Sequence, residues 1–417
     1  MGSRRGLWGL LLLCLALLPG CWDRTEVEDM VYLIAIGLDP AEEGGLMVSA
    51  MVAVTPELTA GGFEPPVKPE RTRLAHRLLT ARGKTITEAL FVVNGGLTRQ
   101  LDLRQLRAVV VGEELSRAGL EPYLMELTRS PWARGNALLA QARGRAYDVL
   151  RELQPVSEVD PPKMIEGLIL QAKRLHMAPP LRMHHFVARH AAAGGDPYLP
   201  AMAINPDVTA NPQEPPELPP ESALPGELPR GSGNPVEYAG TAIFRGDQLA
   251  GYLTVDQTQM LLALRGEMGK AYTTFPDPDH PNRSVSMRFH MENLPKYQAT
   301  FRNGHPHIVV RMLFEGEVLA APGGTDYVKP QARTRLEEAA ARHAEETTAA
   351  LLERLKGWEA DPVGFGHLYR GQFISWQDWE AFDWHRRIRD LTVEVEAKMR
   401  IRRHGLVVGP DRVKGGR

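Results

Sequence analysis

The first half of the chain contains short apolar stretches with the length of β-strands. Residues 31–38 and 46–54 are apolar on both faces, and the turn-forming residues 39–45 lie between them. This pattern predicts two antiparallel strands that are buried within a sheet. Two further buried strands are predicted at 106–111 and 137–142.

Helical patterns lie between these strands. Thr85 and Glu88 have the spacing of a capping box, and the helix that they begin is predicted to end at the Asn-Gly-Gly of residues 94–96. Further helices are predicted at 113–128 with an interruption near Gly119 and Pro122, at 146–153, and at 163–193 with a break at Pro179-Pro180. Strands that alternate with helices indicate an α/β layer.

The second half has the pattern of an antiparallel sheet packed under helices. Its clearest element is the final strand, in which apolar and polar residues alternate from Leu391 to Arg402. The other predicted elements are a hairpin at 240–253, a capped helix at 254–266, strands at 285–291, 297–302 and 307–319, and a long helix at 331–358. This half is therefore predicted to be an α+β domain, and the whole chain a multidomain mixed α/β protein.

A proline-rich segment, residues 205–235, separates the two halves. It contains several acidic residues and almost no apolar ones, so we expect an extended linker or a surface loop. The predicted organisation follows as a signal peptide at 1–20, an N-terminal mixed α/β region at 21–204, the segment at 205–235, a C-terminal α+β domain at 236–408 and a tail at 409–417.

Residues 1–20 have the features of a lipoprotein signal peptide. Arg4 and Arg5 precede an apolar run from Leu7 to Leu18, which is too short to cross a bilayer core about 30 Å thick. Leu18-Pro19-Gly20-Cys21 resembles a lipobox, the motif at which lipoprotein signal peptidase cleaves before a lipid-modified cysteine, although Pro19 is uncommon in that motif.

The cysteine content supports lipid attachment at Cys21. The chain has two cysteines, and Cys14 lies in the predicted leader, so we expect Cys21 to be the first residue and the single cysteine of the mature chain. Acylation with a diacylglyceryl and an N-acyl group removes the reactive thiol, and two or three acyl chains anchor a protein stably. The alternative is a secretory signal with a chance cysteine near its cleavage site.

The motifs give little indication of catalysis. No HExxH, CxxC or GxSxG occurs. Gly83-Lys84-Thr85 resembles the end of a phosphate-binding P-loop, but Leu78 occupies the position of the first glycine and no strand is predicted before it, so a turn and a helix cap are favoured. We expect no enzymatic activity and no cofactor besides the covalent lipid on Cys21. A formal net charge of −2 gives no electrostatic reason to expect nucleic-acid binding.

Several histidines and aspartates invite a metal interpretation. His184 and His185 are adjacent on a predicted helix and so diverge by about 100°. His305 and His307 could converge at a strand entrance, but no cysteine or well-spaced carboxylate joins them. Asp277-Pro278-Asp279 lacks the glycine and the distal glutamate of a calcium loop. Ordinary surface or half-buried side chains are the favoured interpretation.

Four tryptophans lie near Gly364-Phe365-Gly366 in the sequence; they are Trp358, Trp376, Trp379 and Trp384. Such a cluster is either a ligand box or part of the core, and its place between a long helix and the final strand favours the core.

Several stretches also occur in an order that is typical of a known family. They are Cys21-Trp22-Asp23 with Glu26 and a strand ending at Gly37-Leu38-Asp39, Gly83-Lys84-Thr85 with Glu88-Ala89-Leu90, the VVVGEEL of 109–115, the hairpin at 240–253, and the DPVGFG of 361–366 before a tryptophan-rich stretch. Together they resemble the Ger(x)C family, the lipoprotein C subunits of nutrient germinant receptors in endospore-forming bacteria. The proline-rich segment and Pro19 depart from the family pattern.

The resemblance implies a three-domain mixed α/β ectodomain, in which residues 21–204 form one domain or two. It implies a non-catalytic role in spore germination, attachment to the outer face of the inner spore membrane, and two integral-membrane partners, the A and B subunits. Cys21 is the functional position that it carries over. Two alternatives are a lipid-anchored solute-binding protein of a transporter, which needs a cleft between two doubly wound lobes, and an exported lipid-anchored enzyme, for which no motif exists.

Overall fold

The computed structural model describes residues 26, 29–53, 76–130, 135–154, 161–179, 181–209, 214 and 220–403. Two β-sheets organise these residues. Helices pack on both faces of the larger sheet and on one face of the smaller sheet. The predicted fold class, a mixed α/β protein with more than one layer, is confirmed.

The larger sheet has a parallel centre and antiparallel flanks. Its strands are β1 (Met30–Pro40), β2 (Leu46–Ala53), β3 (His76–Gly83), β4 (Gln100–Asp102), β5 (Ala108–Val111), β6 (Leu138–Ala142), β7 (Tyr198–Ile204), β8 (Val236–Arg245) and β9 (Gln248–Leu253). Their order is β3-β2-β1-β5-β6-β7-β8-β9, and β4 pairs with the start of β1. Strands β1, β5, β6 and β7 run parallel to one another.

Helices cover both faces of this sheet because each buries one apolar side against it. They are α1 (Ile86–Gly95), α2 (Glu113–Ala118), α3 (Glu121–Arg129), α4 (Ala146–Glu152), α5 (Pro161–Arg174) and α6 (Met183–Ala191). Helices α4 and α5 pack on one face through residues such as Val149 and Ile169. Helices α1, α2, α3 and α6 pack on the other, through residues such as Leu90 and Leu115.

The predicted elements of the first half are confirmed. β1 and β2 pair antiparallel, from Leu33 opposite Val52 to Pro40 opposite Leu46. The hydroxyl oxygen of Thr85 accepts a hydrogen bond from the Glu88 N–H at 3.0 Å, so Thr85 caps α1 as its sequence predicts. The other half of the predicted capping box differs, because the Glu88 carboxylate accepts from the Lys84 N–H at 2.7 Å. Strands β5 and β6 and helices α2 to α6 also lie at the predicted places.

The smaller sheet is centred on one long strand. Its strands are β10 (Ala271–Pro276), β11 (Ser284–Met291), β12 (Lys296–Arg302), β13 (His305–Ala320) and β14 (Thr392–Arg403). The helices of this region are α7 (Val255–Leu264), α8 (Pro330–Trp358), α9 (Gly366–Arg370), α10 (Trp376–Phe382) and α11 (Trp384–Arg387). β13 pairs antiparallel with β11 and β12 along one side and parallel with β14 along the other.

The final strand corrects one detail of the prediction, because the smaller sheet is not wholly antiparallel. β14 runs parallel to β13, with Thr392 opposite His307. Helices α8 to α11 return the chain to the end of the sheet where β13 begins, which is the crossover that a parallel pair requires. The predicted alternation along β14 is confirmed, since Ala397, Met399 and Ile401 are buried and the residues between them are exposed.

The outer edge of β14 is covered by α8. The Ala397 N–H donates to Glu345 Oε1 and the Ile401 N–H donates to Glu337 Oε1, each at 2.8 Å. The two glutamates are eight positions apart on the helix and the two donors are four positions apart on the strand, and both separations are roughly 12–13 Å. The glutamates therefore satisfy edge donors that are otherwise free to pair with another chain.

The described part of the proline-rich segment packs against the larger sheet. Asn205 Nδ2 donates to the Leu228 carbonyl oxygen at 2.6 Å. Glu237 in β8 accepts hydrogen bonds from the Leu228 N–H at 3.1 Å and from Arg230 Nη2 at 2.9 Å. Ala223 and Leu228 are buried. These residues form a surface loop that is fastened to the body at several points.

The change from one sheet to the other does not fall at this loop. β7 and β8, on its two sides, are neighbours in the larger sheet, and the smaller sheet begins at Ala271. The hairpin at 240–253, which we placed in the C-terminal domain, therefore extends the larger sheet. The reason is that β8 is buried along its length except at Arg245, so it needs cover on both faces. The division into domains at 204 and 236 stays a prediction.

Candidate functional site

The carboxyl ends of the parallel strands form a crevice at one edge of the larger sheet. β1 ends at Asp39 and Pro40, β5 is followed by Glu113, and β6 is followed by Gly144 and Arg145. The chain leaves β5 into α2 on one face of the sheet and leaves β6 into α4 on the opposite face. Adjacent parallel strands whose connections diverge leave a crevice between them, and α/β sheets bind ligands at such positions.

Asp39 is the buried residue of this crevice. Its carboxylate accepts hydrogen bonds from the Ala146 N–H at 2.8 Å and from the Tyr147 N–H at 2.9 Å, at the start of α4. Burial raises the pKa of Asp39, and these two backbone donors act in the opposite direction. A side chain at Gly112 would collide with the Asp39 carboxylate, so the position after β5 is restricted to glycine.

Glu113 joins the ends of β5 and β6. Its Oε2 accepts from the Gly144 N–H at 3.1 Å, and its own N–H donates to the Gly144 carbonyl oxygen at 2.8 Å. Its Oε1 accepts from Arg117 Nη2 at 2.7 Å. Together, the backbone groups that border the crevice are satisfied by the chain itself. The crevice has a volume of about 360 Å³, and its lining consists of Asp39, Pro40, Glu113, Glu114, Arg117, Gly144 and Arg145.

A second polar cluster, the junction, connects the two sheets and is centred on Asp361, just after α8. The Asp361 carboxylate accepts hydrogen bonds from the Gly364 and Gly366 N–H groups, each at 2.8 Å, and from Trp384 Nε1 at 2.9 Å. Asp361 is buried, and burial raises its pKa. The three donors hold this carboxylate in a place where an unpaired one would be very costly.

Asp196, just before β7, is the larger sheet's contribution to the junction. The Asp196 N–H donates to the Asp361 carbonyl oxygen at 2.8 Å, and the Asp361 N–H donates to Asp196 Oδ2 at 2.7 Å. Asp196 Oδ1 accepts from the Gly246 N–H at 2.8 Å and lies 3.1 Å from His385 Nε2. The hydrogen bond to this carboxylate raises the pKa of His385.

Close backbone packing completes the junction. A Cβ atom at Gly366 would lie 2.6 Å from the Gly194 Cα, so the two chain segments approach as only glycines allow. A Cβ atom at Gly251, in β9, would lie 2.7 Å from Cε2 of the Trp358 ring at the end of α8. Substitution at either glycine would therefore force the two sheets apart.

Comparison with known proteins identifies the family. Residues 23–204 match the family described as "Spore germination protein N-terminal domain", and residues 239–405 match "Spore germination B3/ GerAC like, C-terminal". The chain belongs to the Ger(x)C family. The two matched regions end and begin on either side of the proline-rich segment, although the larger sheet continues across it.

Several relatives match this Ger(x)C protein over almost its whole length. The chain is 24% identical over 409 residues to "Spore germination protein KC" of Bacillus subtilis (strain 168), with 96% of each chain covered. It is 23% identical over 400 residues to "Putative spore germination protein YfkR" of the same organism, with 95% of this chain and 96% of that protein covered. The solved structure "Crystal Structure of the GerBC protein" has a similar fold, with a TM-score of 0.51, 16% identity, and coverage of 88% of this chain and 96% of that chain.

The stretches by which the sequence resembles the Ger(x)C family lie largely in the two clusters described above. Asp39 ends the first such stretch and Glu113 lies in the VVVGEEL stretch, and both line the crevice. Asp361 begins the DPVGFG stretch, and Gly246 and Gly251 belong to the hairpin; all three lie in the junction or next to it.

The Gly83-Lys84-Thr85 stretch is a turn and a helix cap, as predicted, although a strand, β3, does lead into it. The N–H groups of Ile86 and Thr87 at the start of α1 donate to the carboxylate of Glu126, at 3.1 and 2.7 Å. The position that would hold a phosphate is therefore taken by a carboxylate of the protein itself.

The two histidine pairs are arranged differently: the rings of His184 and His185 lie close together, with centroids 4.1 Å apart, whereas His305 and His307 lie against different carboxylates. His184 Nδ1 lies 2.9 Å from the Gly135 carbonyl oxygen. His307 Nε2 lies 2.9 Å from Glu394 Oε1, whereas His305 Nδ1 lies 3.6 Å from Asp390 Oδ2. Within the described ranges, no group of three or more His, Cys, Asp or Glu side chains is placed to hold a metal ion.

Asp277 supports a turn. Its Oδ1 accepts a hydrogen bond from the Asp279 N–H at 2.8 Å and another from the Tyr327 hydroxyl.

The tryptophan prediction is confirmed in part. Trp379 and Trp384 are buried, with 5% and 4% of their surface exposed, and they stack with a ring-centroid distance of 6.3 Å. Trp376 is 48% exposed, so its assignment to the core is wrong. The reason is its place on the outer side of the short helix α10, where its Nε1 donates to Glu380.

Cys21 lies outside the described residues, as do the whole leader and the tail at 409–417. Lipid attachment at Cys21 therefore stays a prediction. In the part of the chain that the structure covers, no helix has both the length and the apolar character needed to cross a bilayer.

Proposed function

We propose that this Ger(x)C protein is the lipid-anchored, non-catalytic C subunit of a nutrient germinant receptor. In this proposal, acyl chains on Cys21 hold it at the outer face of the inner spore membrane. The main support is that both regions of the family occur in order, from residue 23 to residue 405, directly after a cysteine in a lipobox-like sequence.

The partners in this proposal are two integral-membrane proteins, the A and B subunits of the receptor. A tethered protein has a high effective concentration for neighbours in the same membrane, so modest interfaces suffice for assembly. The names of the relatives, all spore germination proteins, support a role in the same process.

The two polar clusters support a non-catalytic role. Both carboxylates of the junction bind backbone N–H groups and join segments of the fold. The lining of the crevice, within the described residues, consists of carboxylate, guanidinium, proline and glycine groups, and includes no hydroxyl, thiol or imidazole. A hydroxyl or thiol nucleophile with an adjacent imidazole base is therefore not part of that lining.

The solute-binding alternative fits the architecture less well. Such proteins bind between two doubly wound lobes, whereas the smaller sheet is antiparallel except for β14.

The test is complementation of germination in a strain that lacks the gene. A nutrient is first found to which the deletion spores no longer respond, and the wild-type gene is then restored. Cys21→Ala is the test variant, and Cys14→Ala is the matched control because Cys14 lies in the predicted leader. Membrane and soluble fractions of each strain are compared by immunoblot.

We expect Cys14→Ala to restore the response and to fractionate with the membrane. Cys21→Ala is expected to fail in both respects, because the acyl chains are its predicted anchor. Germination that is normal on every nutrient without the gene would contradict the receptor role. A Cys21→Ala protein that stays in the membrane fraction would contradict the anchor.

A further inference from the structure

Two exposed charged groups line the crevice at the carboxyl ends of β1, β5 and β6, those of Glu114 and Arg145, and neither forms a salt bridge within the described residues. We propose that it binds a small polar monocarboxylate. Arg145 would bind the carboxylate, and Glu114 would bind a hydroxyl or ammonium group of the same molecule. This site goes beyond the receptor role, and a binding measurement on the isolated protein tests it whether or not that role is correct.

The position of the crevice is the first argument. It lies where the connections from β5 and β6 depart to opposite faces of the sheet, a position at which α/β sheets bind ligands. Its volume of about 360 Å³ is near the lower end of the range for ligand pockets, roughly 300–1,000 Å³, and suits a small molecule.

The second argument is which groups are already occupied. Both oxygens of Asp39 accept hydrogen bonds from backbone N–H groups of α4. Both oxygens of Glu113 are also bonded, one to Gly144 and one to Arg117. These two carboxylates therefore hold the walls in place, Arg117 is paired with Glu113, and Glu114 and Arg145 are left to face a ligand.

Arg145 is the strongest candidate ligand. It is exposed and, in the described part of the chain, it forms no salt bridge. Its guanidinium lies 5.5 Å from the centroid of the Tyr147 ring, and its Nη2 lies 3.7 Å from Met47 Sδ, so aromatic and thioether groups orient it. A guanidinium binds a carboxylate through two parallel hydrogen bonds, and one that is already oriented loses less entropy on binding.

The charges of the lining select the class of ligand. Three carboxylates, those of Asp39, Glu113 and Glu114, lie with two guanidiniums, those of Arg117 and Arg145, so the lining has one excess negative charge. This balance disfavours a doubly charged phosphate and tolerates a single carboxylate. Glu114 is exposed and its side chain has no hydrogen-bond partner within the described residues, so it can accept a hydrogen bond from the far end of the ligand.

The experiment is a ligand-observed NMR titration of the full chain, purified in detergent. The probes are lactate and free glycine, which carry a donor group, acetate, which does not, and inorganic phosphate. The variants are Arg145→Gln and Glu114→Gln. Arg342→Gln is the control, because Arg342 is an exposed arginine on α8 in the other sheet region. Circular dichroism of each variant verifies that it is folded.

We expect lactate to bind the wild type and the Arg342→Gln control with the same affinity, and likewise glycine. Phosphate is expected to bind neither protein. Arg145→Gln is expected to weaken the binding of lactate and of glycine about tenfold or more, which corresponds to the loss of a charge-assisted hydrogen bond. Glu114→Gln should weaken the binding of glycine and leave the binding of acetate unchanged. The proposal is overturned if neither lactate nor glycine binds the wild type, if Arg145→Gln binds them as the wild type does, or if phosphate binds as tightly as lactate.

Discussion

The junction and the crevice are built from the same parts but differ in what surrounds them. Each has a buried aspartate, Asp361 or Asp39, whose carboxylate accepts hydrogen bonds from backbone N–H groups. In the junction, Trp384 and His385 add further hydrogen bonds and cover the carboxylates. In the crevice, the next groups outward are charged and solvent-exposed, among them Arg145. In both regions, a buried aspartate that binds backbone N–H groups holds segments of the fold together. The side chains around that aspartate determine whether the region can also bind a ligand.

The largest expected effect comes from Asp361→Ala. It leaves the Gly364 and Gly366 N–H groups and Trp384 Nε1 without their acceptor in a buried place, so the free energy of unfolding should fall by about 3 kcal/mol or more. Chemical denaturation measures the change. The control is Asp390→Ala, an exposed carboxylate, which should change stability by less than about 1 kcal/mol. If both variants lost the same small amount of stability, Asp361 would not be important for holding the junction together.

The next largest effect is expected for Gly251→Ala. The added methyl group would collide with the Trp358 ring, which should cost about 2 kcal/mol of overpacking. Trp358→Leu in the same chain should restore part of the loss, because it removes the ring. A thermal unfolding series of the two single variants and the double variant measures this. Purely additive losses would mean that the two side chains do not meet.

Two histidines that contact the region between the sheets should respond to pH in opposite directions. His385 bonds to Asp196, which raises its pKa. Its contribution to stability is therefore complete below about pH 6.5, the unfolded value, and is lost as pH rises through the higher folded pKa. His176 Nε2 accepts from the Gly269 N–H at 2.7 Å, and burial lowers its pKa. Its contribution is present above about pH 6.5 and is lost as pH falls through the lower folded pKa.

Denaturation of His385→Gln and His176→Gln at about pH 5 and about pH 8.5 measures both contributions against the wild type. His385→Gln should be more destabilising at the lower pH, and His176→Gln at the higher pH. Each difference should be below about 1 kcal/mol, because both rings are partly exposed. The same pH dependence for both variants would contradict the assigned hydrogen bonds.

The smallest effect on stability is expected for Arg145→Gln. The exposed guanidinium acts on the buried Asp39 carboxylate through its charge and forms no salt bridge within the described residues, so the free energy of unfolding should change by less than about 0.5 kcal/mol. The same denaturation experiment measures it. A loss as large as that of Asp361→Ala would make Arg145 a structural residue and would remove the contrast between the crevice and the junction.

Local patterns predicted the elements that have a strong periodicity or a cap. The alternation along β14, the threonine cap at Thr85 and the capping box at Thr254 were sufficient, because each signal lies within a few residues. β7 escaped prediction because Pro200 interrupts it, and the structure accommodates this proline at an irregularity in the pairing with β8. β3 escaped because charged residues alternate only weakly with apolar ones along it.

The junction could not be predicted from local patterns, since Asp196 and Asp361 are 165 residues apart. The hydrogen bonds by which Glu337 and Glu345 cover the edge of β14 could not be predicted from local patterns either. The crevice left a signal that the sequence prediction did not use, namely a charged residue soon after the end of each predicted parallel strand. Asp39 and Glu113 are such residues, and parallel strands bring their carboxyl ends to one edge of a sheet.

The most direct test of the receptor assignment is affinity purification of the tagged full chain from detergent-solubilised inner spore membranes, followed by mass spectrometry. The proposal predicts that two multi-spanning membrane proteins, the A and B subunits, co-purify with the wild-type chain and are lost with Cys21→Ala. Recovery of the wild-type chain from the membrane without either protein would contradict it.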